Sequence, residues 1–288
     1  MSNAKGLRYE VLDVFAEAPL QGNPVAVIFG AERLASADLQ AIARETNLSE
    51  TTFVLHGAAH DGAFDVRIFT PALELPYAGH PTLGTAFAIR EALCDGAVES
   101  VVLRLGVGLV PVRFAEDGLV WLESPAANLT PFADAELAAA ALGLPASALD
   151  PALPVESAGG RQLFVPLRER AQVEAARVES AAYAKLGARG APTSLYCFAP
   201  GARNPRNQFT VRLFAPASGV PEDPATGSAA GWLGQYLVRH RVLGAGPIEV
   251  RLEQGHALAR PSLLHVRASA AGSQVGGRVI RAARGEWL

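Results

Sequence analysis

The sequence predicts an α+β protein of two similar domains, residues 1-123 and 124-288, with the last strand a candidate to return to the first. Three observations carry this reading. The chain has 288 residues, well above the roughly 150 that one compact domain usually needs. Short β-rich runs outnumber helical runs along its whole length. Two well-separated stretches also echo each other: RIFTP, a loop and HPTLGTA, beginning at Arg67 and His80, then RLFAP, a loop and DPATGSA, beginning at Arg212 and Asp223. So long a spacing indicates duplicated domains, because solenoid repeats recur every 20 to 50 residues or so.

The first half opens with YEVLDVF and VAVIF, β-rich runs joined by the Pro/Gly-punctuated AEAPLQGNP, and these read as a strand pair. Ser36 is placed to cap a helix ADLQAIARET, whose Leu39, Ile42 and Ala43 share one face and which ends at Asn47. ETTFVLH and FDVRIFTP follow as strands, the second stopped by Pro71, and GHPTLG then leads as a loop into a helix TAFAIREAL. SVVLRLGVG, LVPVRF and LVWLES are further strands; the GVG at residues 106–108 lacks the pattern of a dinucleotide loop and reads as a glycine bend. Residues 124–131, rich in Pro, Ala and Asn, form the linker. The second half runs through a helix ADAELAAAAL, a strand RQLFVPL, one helix near AQVEAARVESAAYAKL, and strands LYCFAP and QFTVRLFAP, before DPATGSAAG opens a small-residue helix.

Composition excludes several classes of function. With 50% hydrophobic residues, 18% charged residues and a formal net charge of -3, the chain has an ordinary globular profile. Lys and Arg are scattered singly, without the basic run that a row of phosphates requires, so nucleic acid is not an expected partner. No apolar stretch reaches the roughly 20 residues of a membrane-spanning helix, so a cytoplasmic location is expected. Cys94 and Cys197 are too few and too far apart for a disulfide framework or a zinc site and read as small buried hydrophobes. His240, His256 and His265 lack metal-ligand spacing, so no metal is expected.

The echoed loops carry the chemistry. Gly84 and Gly227 allow a tight turn and close approach to a ligand, while Thr85 and Ser228 occupy N-cap positions of the helices that follow. The first amides of a helix have no intrahelical partner, and its positive end favours an anion. Two such starts facing one cleft would bind a small carboxylate, with His80 and Asp223 as additional polar groups.

The motifs GNPVAV (from Gly22), NLSETTFV (from Asn47), RIFTP with AGHPTLGTA, RLFAP with EDPATGSAAG, and QGHALARPS (from Gln254) occur in this order over nearly the whole chain. In them the sequence resembles the PhzF-like isomerases of phenazine biosynthesis, which share the diaminopimelate epimerase fold. The resemblance implies that each domain is a mixed β-sheet wrapped around a central helix, those after Gly84 and Gly227, with the active site in the cleft between domains. It also implies a homodimer, no cofactor, and the isomerisation of trans-2,3-dihydro-3-hydroxyanthranilate by moving a proton. Carried over by residue, Glu50 in LSETTF matches the general acid/base, and His80, Asp223 and Ser228 match groups that bind or orient the substrate. Partial burial suits Glu50 to this role, because desolvation raises a carboxyl pKa towards neutrality. Glu222 is taken as a supporting or exposed group and Glu45 as a surface charge. Racemases of this fold use two opposed thiols at the paired loops; here those loops hold His80 with Thr85 and Asp223 with Ser228, which disfavours thiol chemistry. The alternatives are an isomerase or epimerase of another amino or hydroxy acid, or a small-molecule-binding protein without turnover.

Overall fold

The computed structural model describes residues 6–56, 61–94 and 96–287. The chain divides into two compact units, Met1–Glu123 with Gly276–Leu288, and Ser124–Val275. Both mix α-helix with a larger share of strand.

In the first unit β1 (Leu7–Val14) and β2 (Asn23–Phe29) are antiparallel. Helix α1 (Ser36–Thr46) then crosses to β3 (Glu50–Val54), which lies parallel to β2. β4 (Ala63–Phe69) is antiparallel to β3 and to the two-residue β5 (Glu74–Leu75). The chain then enters α2 (Gly79–Leu93) and continues through β6 (Ser100–Leu105), β7 (Gly108–Phe114) and β8 (Val120–Ser124). β6 runs parallel to β4 and antiparallel to β7, joined by a two-residue turn that holds Gly106 and Val107. The GVG is thus a hairpin turn.

The second unit repeats this sequence of pairings. After β9 (Thr130–Pro131) and α3 (Ala135–Ala141), β10 (Glu156–Ala158) and β11 (Gln162–Pro166) are antiparallel. Two short helices, α4 (Arg170–Ala175) and α5 (Ser180–Ala188), lead to β12 (Ser194–Pro200), parallel to β11. β13 (Phe209–Ala215) is antiparallel to β12 and to the short β14 (Val220–Asp223), after which the chain enters α6 (Gly227–Arg239). β15 (Ile248–Gln254) is parallel to β13 and antiparallel to β16 (Ser262–Ser269), followed by β17 (Gly272–Gly277). The last strand, β18 (Val279–Trp287), pairs antiparallel with β1.

Each unit covers its sheet with helices of two kinds. On one face lie amphipathic helices: α1 packs Leu39, Ile42 and Ala43 on Ile28, Phe53 and Phe69, and α3, α4 and α5 cover Leu163, Val165, Leu195, Cys197 and Phe214. Against the other face lie α2 and α6, buried on nearly all sides. Such helices are made of small residues so that backbone can approach sheet. A Cβ on Gly84 would stand 2.6 Å from Val25 Cγ1, and one on Gly234 would stand 2.6 Å from Val266 Cγ1.

Three helix boundaries differ from the sequence reading. Ala35, not Ser36, takes the N-cap position of α1, and the Ser36 hydroxyl accepts a hydrogen bond from Arg67 at 3.1 Å. The single helix expected near 171–186 is two, because Arg177 and Glu179 donate their amides to Leu142 and Ala141, and the Glu179 carboxylate caps α5 through the amides of Ala181 and Ala182. Finally, α2 begins at Gly79, so HPTLG is its first turns and not a loop.

The repeated Arg has a structural role in both units. Arg67 makes a two-pronged pair with Glu74 of β5 at 2.7 and 2.6 Å, and Arg212 makes the same pair with Glu222 of β14 at 2.9 and 2.7 Å. Each guanidinium also lies over the Phe two residues on. The pairs clamp the hairpins that deliver the chain to the starts of α2 and α6. Glu222 is therefore a clamped, mostly buried partner and not an exposed charge.

Candidate active site

In the first unit the structure brings Glu50 and His80 together. Asn47, with φ 51, turns the chain out of α1, and Glu50 follows as the first residue of β3. Thr52, two residues on and so on the same face of the strand, shares a 2.7 Å hydrogen bond with Thr85 of α2. That face therefore meets α2, whose second residue is His80. Glu50 Oε2 lies 3.5 Å from His80 Nε2, with side-chain exposures of 16% and 7%. Burial pushes the Glu50 carboxyl up to about 7, and the Ser49 hydroxyl draws it partly back. On the other side of the imidazole, Asn23 Nδ2 is 3.3 Å from His80 Nδ1, and Asn23 Oδ1 accepts from Ser49 Oγ at 3.3 Å.

In the second unit Asp223 ends β14 and the turn Pro224-Ala225-Thr226 leads into α6 at Gly227. The Thr226 hydroxyl donates to Asp223 Oδ2 at 2.5 Å. Gln254, buried at the end of β15, fixes the turn: its Nε2 donates to Asp223 O at 2.8 Å and to Thr226 Oγ1 at 3.1 Å, and its Oε1 accepts from the Thr226 amide. Gly255 can only be glycine, with φ 78 and a virtual Cβ 2.6 Å from Pro224 O. Gly227 is buried and Ser228 half-buried in the first turn of α6. Register sets Tyr196, Leu213 and Asp223 in one row across β12, β13 and β14. The Tyr196 hydroxyl is fully buried without a hydrogen-bond partner among the described residues; burial, with the Asp223 charge adding to it, raises its pKa well above the usual value.

Residues 12–281 match the family described as phenazine biosynthesis-like protein, PhzC-PhzF. The chain belongs to this family. It is 40% identical over 272 residues to trans-2,3-dihydro-3-hydroxyanthranilate isomerase of Pseudomonas aeruginosa, covering 93% of this chain and 92% of that protein. A solved PhzF-family protein of Bacillus anthracis superposes with a TM-score of 0.88 over 99% of each chain at 24% identity, a likeness of fold. The solved structure of a predicted epimerase of Pseudomonas aeruginosa is 34% identical, with a TM-score of 0.80 over 98% of this chain and 99% of that one.

Three residues of the PhzF motifs do not act as turn or cap. Because α2 starts at Gly79, Gly84 and Thr85 lie in its second turn, fully buried. Gly84 is small to admit Val25 and Val14, and the Thr85 hydroxyl donates to Pro81 O at 2.7 Å and meets Thr52, so it does not cap the helix. Ser228 is likewise inside α6, whose N-cap position is Thr226. Conversely, the sequence reading assigned no role to Asn23, Ser49, Gln254 or Gly255. All four lie in the motifs GNPVAV, NLSETTFV and QGHALARPS, and that was the available signal. Cys197 lies in the apolar layer under α3 to α5, and burial pushes its thiol up to about 12. No group of three or more His, Cys, Asp or Glu among the described residues could hold a metal ion, and no helix is long and apolar enough to cross a membrane.

Proposed function

We propose that this isomerase moves a proton between two carbons of a small carboxylate-bearing substrate of the trans-2,3-dihydro-3-hydroxyanthranilate type, with Glu50 as its acid/base. In this reading each unit is an epimerase-like domain built around its buried helix, and the enzyme is a homodimer that needs no metal or organic cofactor. The observation that carries it is the state of Glu50. A carboxyl with a pKa of about 7 takes and returns a proton with similar ease at neutral pH. As carboxylate it removes a proton from one carbon, and the electron pair left behind spreads through the conjugated ring. As acid it delivers the proton to another carbon and ends as it began, so no oxidant or reductant enters. His80 Nε2, 3.5 Å away, steadies the carboxylate form before the first step and after the second.

The turn from Asp223 to Ser228 is assigned the substrate's polar groups. The first amides of α6 lack intrahelical partners and stand at the positive end of its dipole, which suits the substrate carboxylate. Asp223, held by Thr226 and Gln254, suits an amino group. The name of the Pseudomonas aeruginosa relative supports this substrate class.

Proton NMR of trans-2,3-dihydro-3-hydroxyanthranilate in deuterated water tests the reading. Ring deuteration and product formation are expected with the wild type and are lost in Glu50→Gln. Exchange that survives in Glu50→Gln removes Glu50 from the mechanism, and no reaction with the wild type excludes this substrate. Gly227→Val is expected to raise KM by blocking the backbone's approach; an unchanged KM would remove the α6 start from the site.

A further inference from the structure

Asn23 has no place in the proton transfer as derived so far, yet it is fully buried at the heart of the first unit's site. Its position is built in. Gly22 holds φ 67, with a virtual Cβ 2.2 Å from Val14 O, so only glycine fits there. That turn starts β2 with Asn23 opposite Val14, and the Asn23 side chain reaches the imidazole of His80. The result is a closed ring of side chains. Glu50 Oε2 faces His80 Nε2 at 3.5 Å, His80 Nδ1 faces Asn23 Nδ2 at 3.3 Å, Asn23 Oδ1 faces Ser49 Oγ at 3.3 Å, and Ser49 is bonded through the chain to Glu50.

The one Ser49 proton is given to the amide oxygen at 3.3 Å and lowers the Glu50 pKa only when it swings to that carboxyl. With the proton on Asn23 the donors and acceptors around the ring run in one direction: the amide oxygen is occupied, and the amide nitrogen, which can only donate, is turned to the imidazole. Nδ1 must then accept, and the ring proton must sit on Nε2, opposite the carboxylate. The other neutral tautomer would oppose an N–H to the amide N–H and a lone pair to Glu50. The imidazolium would meet the same donor clash at Nδ1, and a cation at the second residue of α2 would stand at the positive end of the helix dipole.

We propose that Asn23 is a positioning residue that fixes His80 as the neutral Nε2–H tautomer, so that this N–H is held on the side of Glu50 Oε2, 3.5 Å away and not hydrogen-bonded to it in the structure, and the mobile proton is left to Glu50 alone. The catalytic part of this inference rests on Glu50 being the acid/base; the tautomer does not. Were His80 free to invert, its Nδ1–H form would withdraw the donor and present a lone pair that favours the protonated acid. Glu50 would then be a poorer base for the first step.

Long-range proton–nitrogen NMR on protein labelled with nitrogen-15 histidine reads the tautomer of His80 directly. His80→Gln identifies its resonances. At about pH 8.5, above the ordinary histidine pKa, the wild type is expected to show neutral imidazole protonated at Nε2. Asn23→Asp replaces the amide donor by an acceptor, and His80 is expected to become protonated at Nδ1. kcat is expected to fall on the order of 10²–10⁴-fold, the scale set by a wrong histidine tautomer or a lost acid/base, with a smaller change in KM. Asn23→Ala should give a mixture of tautomers. Protonation at Nδ1 in the wild type overturns the proposal whether or not the variants fold. So does a folded Asn23→Asp that keeps the wild-type tautomer, or one that inverts it with kcat unchanged. Loss of exchange in Glu50→Gln is the separate check on the underlying reading: if it fails, the NMR result still decides the tautomer.

Discussion

Glu50 couples activity and stability through one equilibrium. Its pKa is raised from 4.5 to about 7 in the folded protein, so between these values the folded state binds more protons than the unfolded state. Stability therefore falls as pH rises through this window and is level above it. The difference corresponds to about 3 kcal/mol. Glu50→Gln carries no such charge, so the variant is expected to be more stable than the wild type above pH 7, by up to about 3 kcal/mol, with the gap closing near pH 4.5. Urea denaturation of both proteins at several pH values measures this; a gap independent of pH would show that the carboxyl is not held in a desolvated place. For the wild type, kcat/KM is expected to rise through an apparent pKa of about 7, because the first step needs the carboxylate. The residue type and its neighbours were legible in LSETTF, where no cation stands near Glu50 in sequence. Its partners were not, since Asn23 and His80 come from other elements and meet it only through the register of β2, β3 and α2.

At the scale of elements, the repeated strand–loop–helix was legible because Arg, Phe, Pro, Gly and Ala recur in type and order. Where the helices start was not. Pro81 is tolerated in the first turn of a helix, so HPTLG folds as helix, while DPAT is held out of α6 by Gln254 and by Asp223 bonding to Thr226. These are tertiary and side-chain contacts that local propensity does not report. The two Arg clamps, alike in sequence, differ in burial, and this separates their expected energies. Arg67 and Glu74 are 28% and 43% exposed, Arg212 and Glu222 12% and 10%. Arg212 also donates to the carbonyls of Val173, Glu174 and Ala176 around the break between α4 and α5. Arg67→Met is expected to cost about 1 kcal/mol or less, as exposed pairs do. Arg212→Met leaves a buried carboxylate and three carbonyls without their partner and is expected to cost about 3–5 kcal/mol. Equal shifts in urea midpoint at unchanged m would show that burial does not set the difference.

The whole molecule depends on a connection that no local pattern announces. β15 and β16 are ordinary alternating runs, but β17 (GSQVGG) and β18 (VIRAARGEW) are not, and whether the last of them pairs with its neighbours in sequence or with β1 is decided by which strand edge is open. β18 runs beside β1 from Leu7↔Trp287 to Val14↔Val279. Along the way Arg281 donates to the fully buried Glu10 at 2.7 Å, and Trp287 packs edge-on against Tyr9. A chain stopped after Val275 would lose all of these at once. β1 would present a row of unpaired backbone groups on that side, and of its two ion-pair partners among the described residues Glu10 would keep Arg8 and lose Arg281. The same strand pairs on its other side with β2, which carries Asn23, so a loosened β1 reaches the ring that holds His80 and Glu50. The truncated chain is therefore expected to lose solvent exchange into substrate. The second unit keeps its own apolar layer beneath α3, α4 and α5 and is expected to resist limited proteolysis while the segment before Ser124 is cut. Wild-type exchange by the truncated chain, or equal cleavage of both units, would show that β18 is not what completes the sheet carrying Glu50.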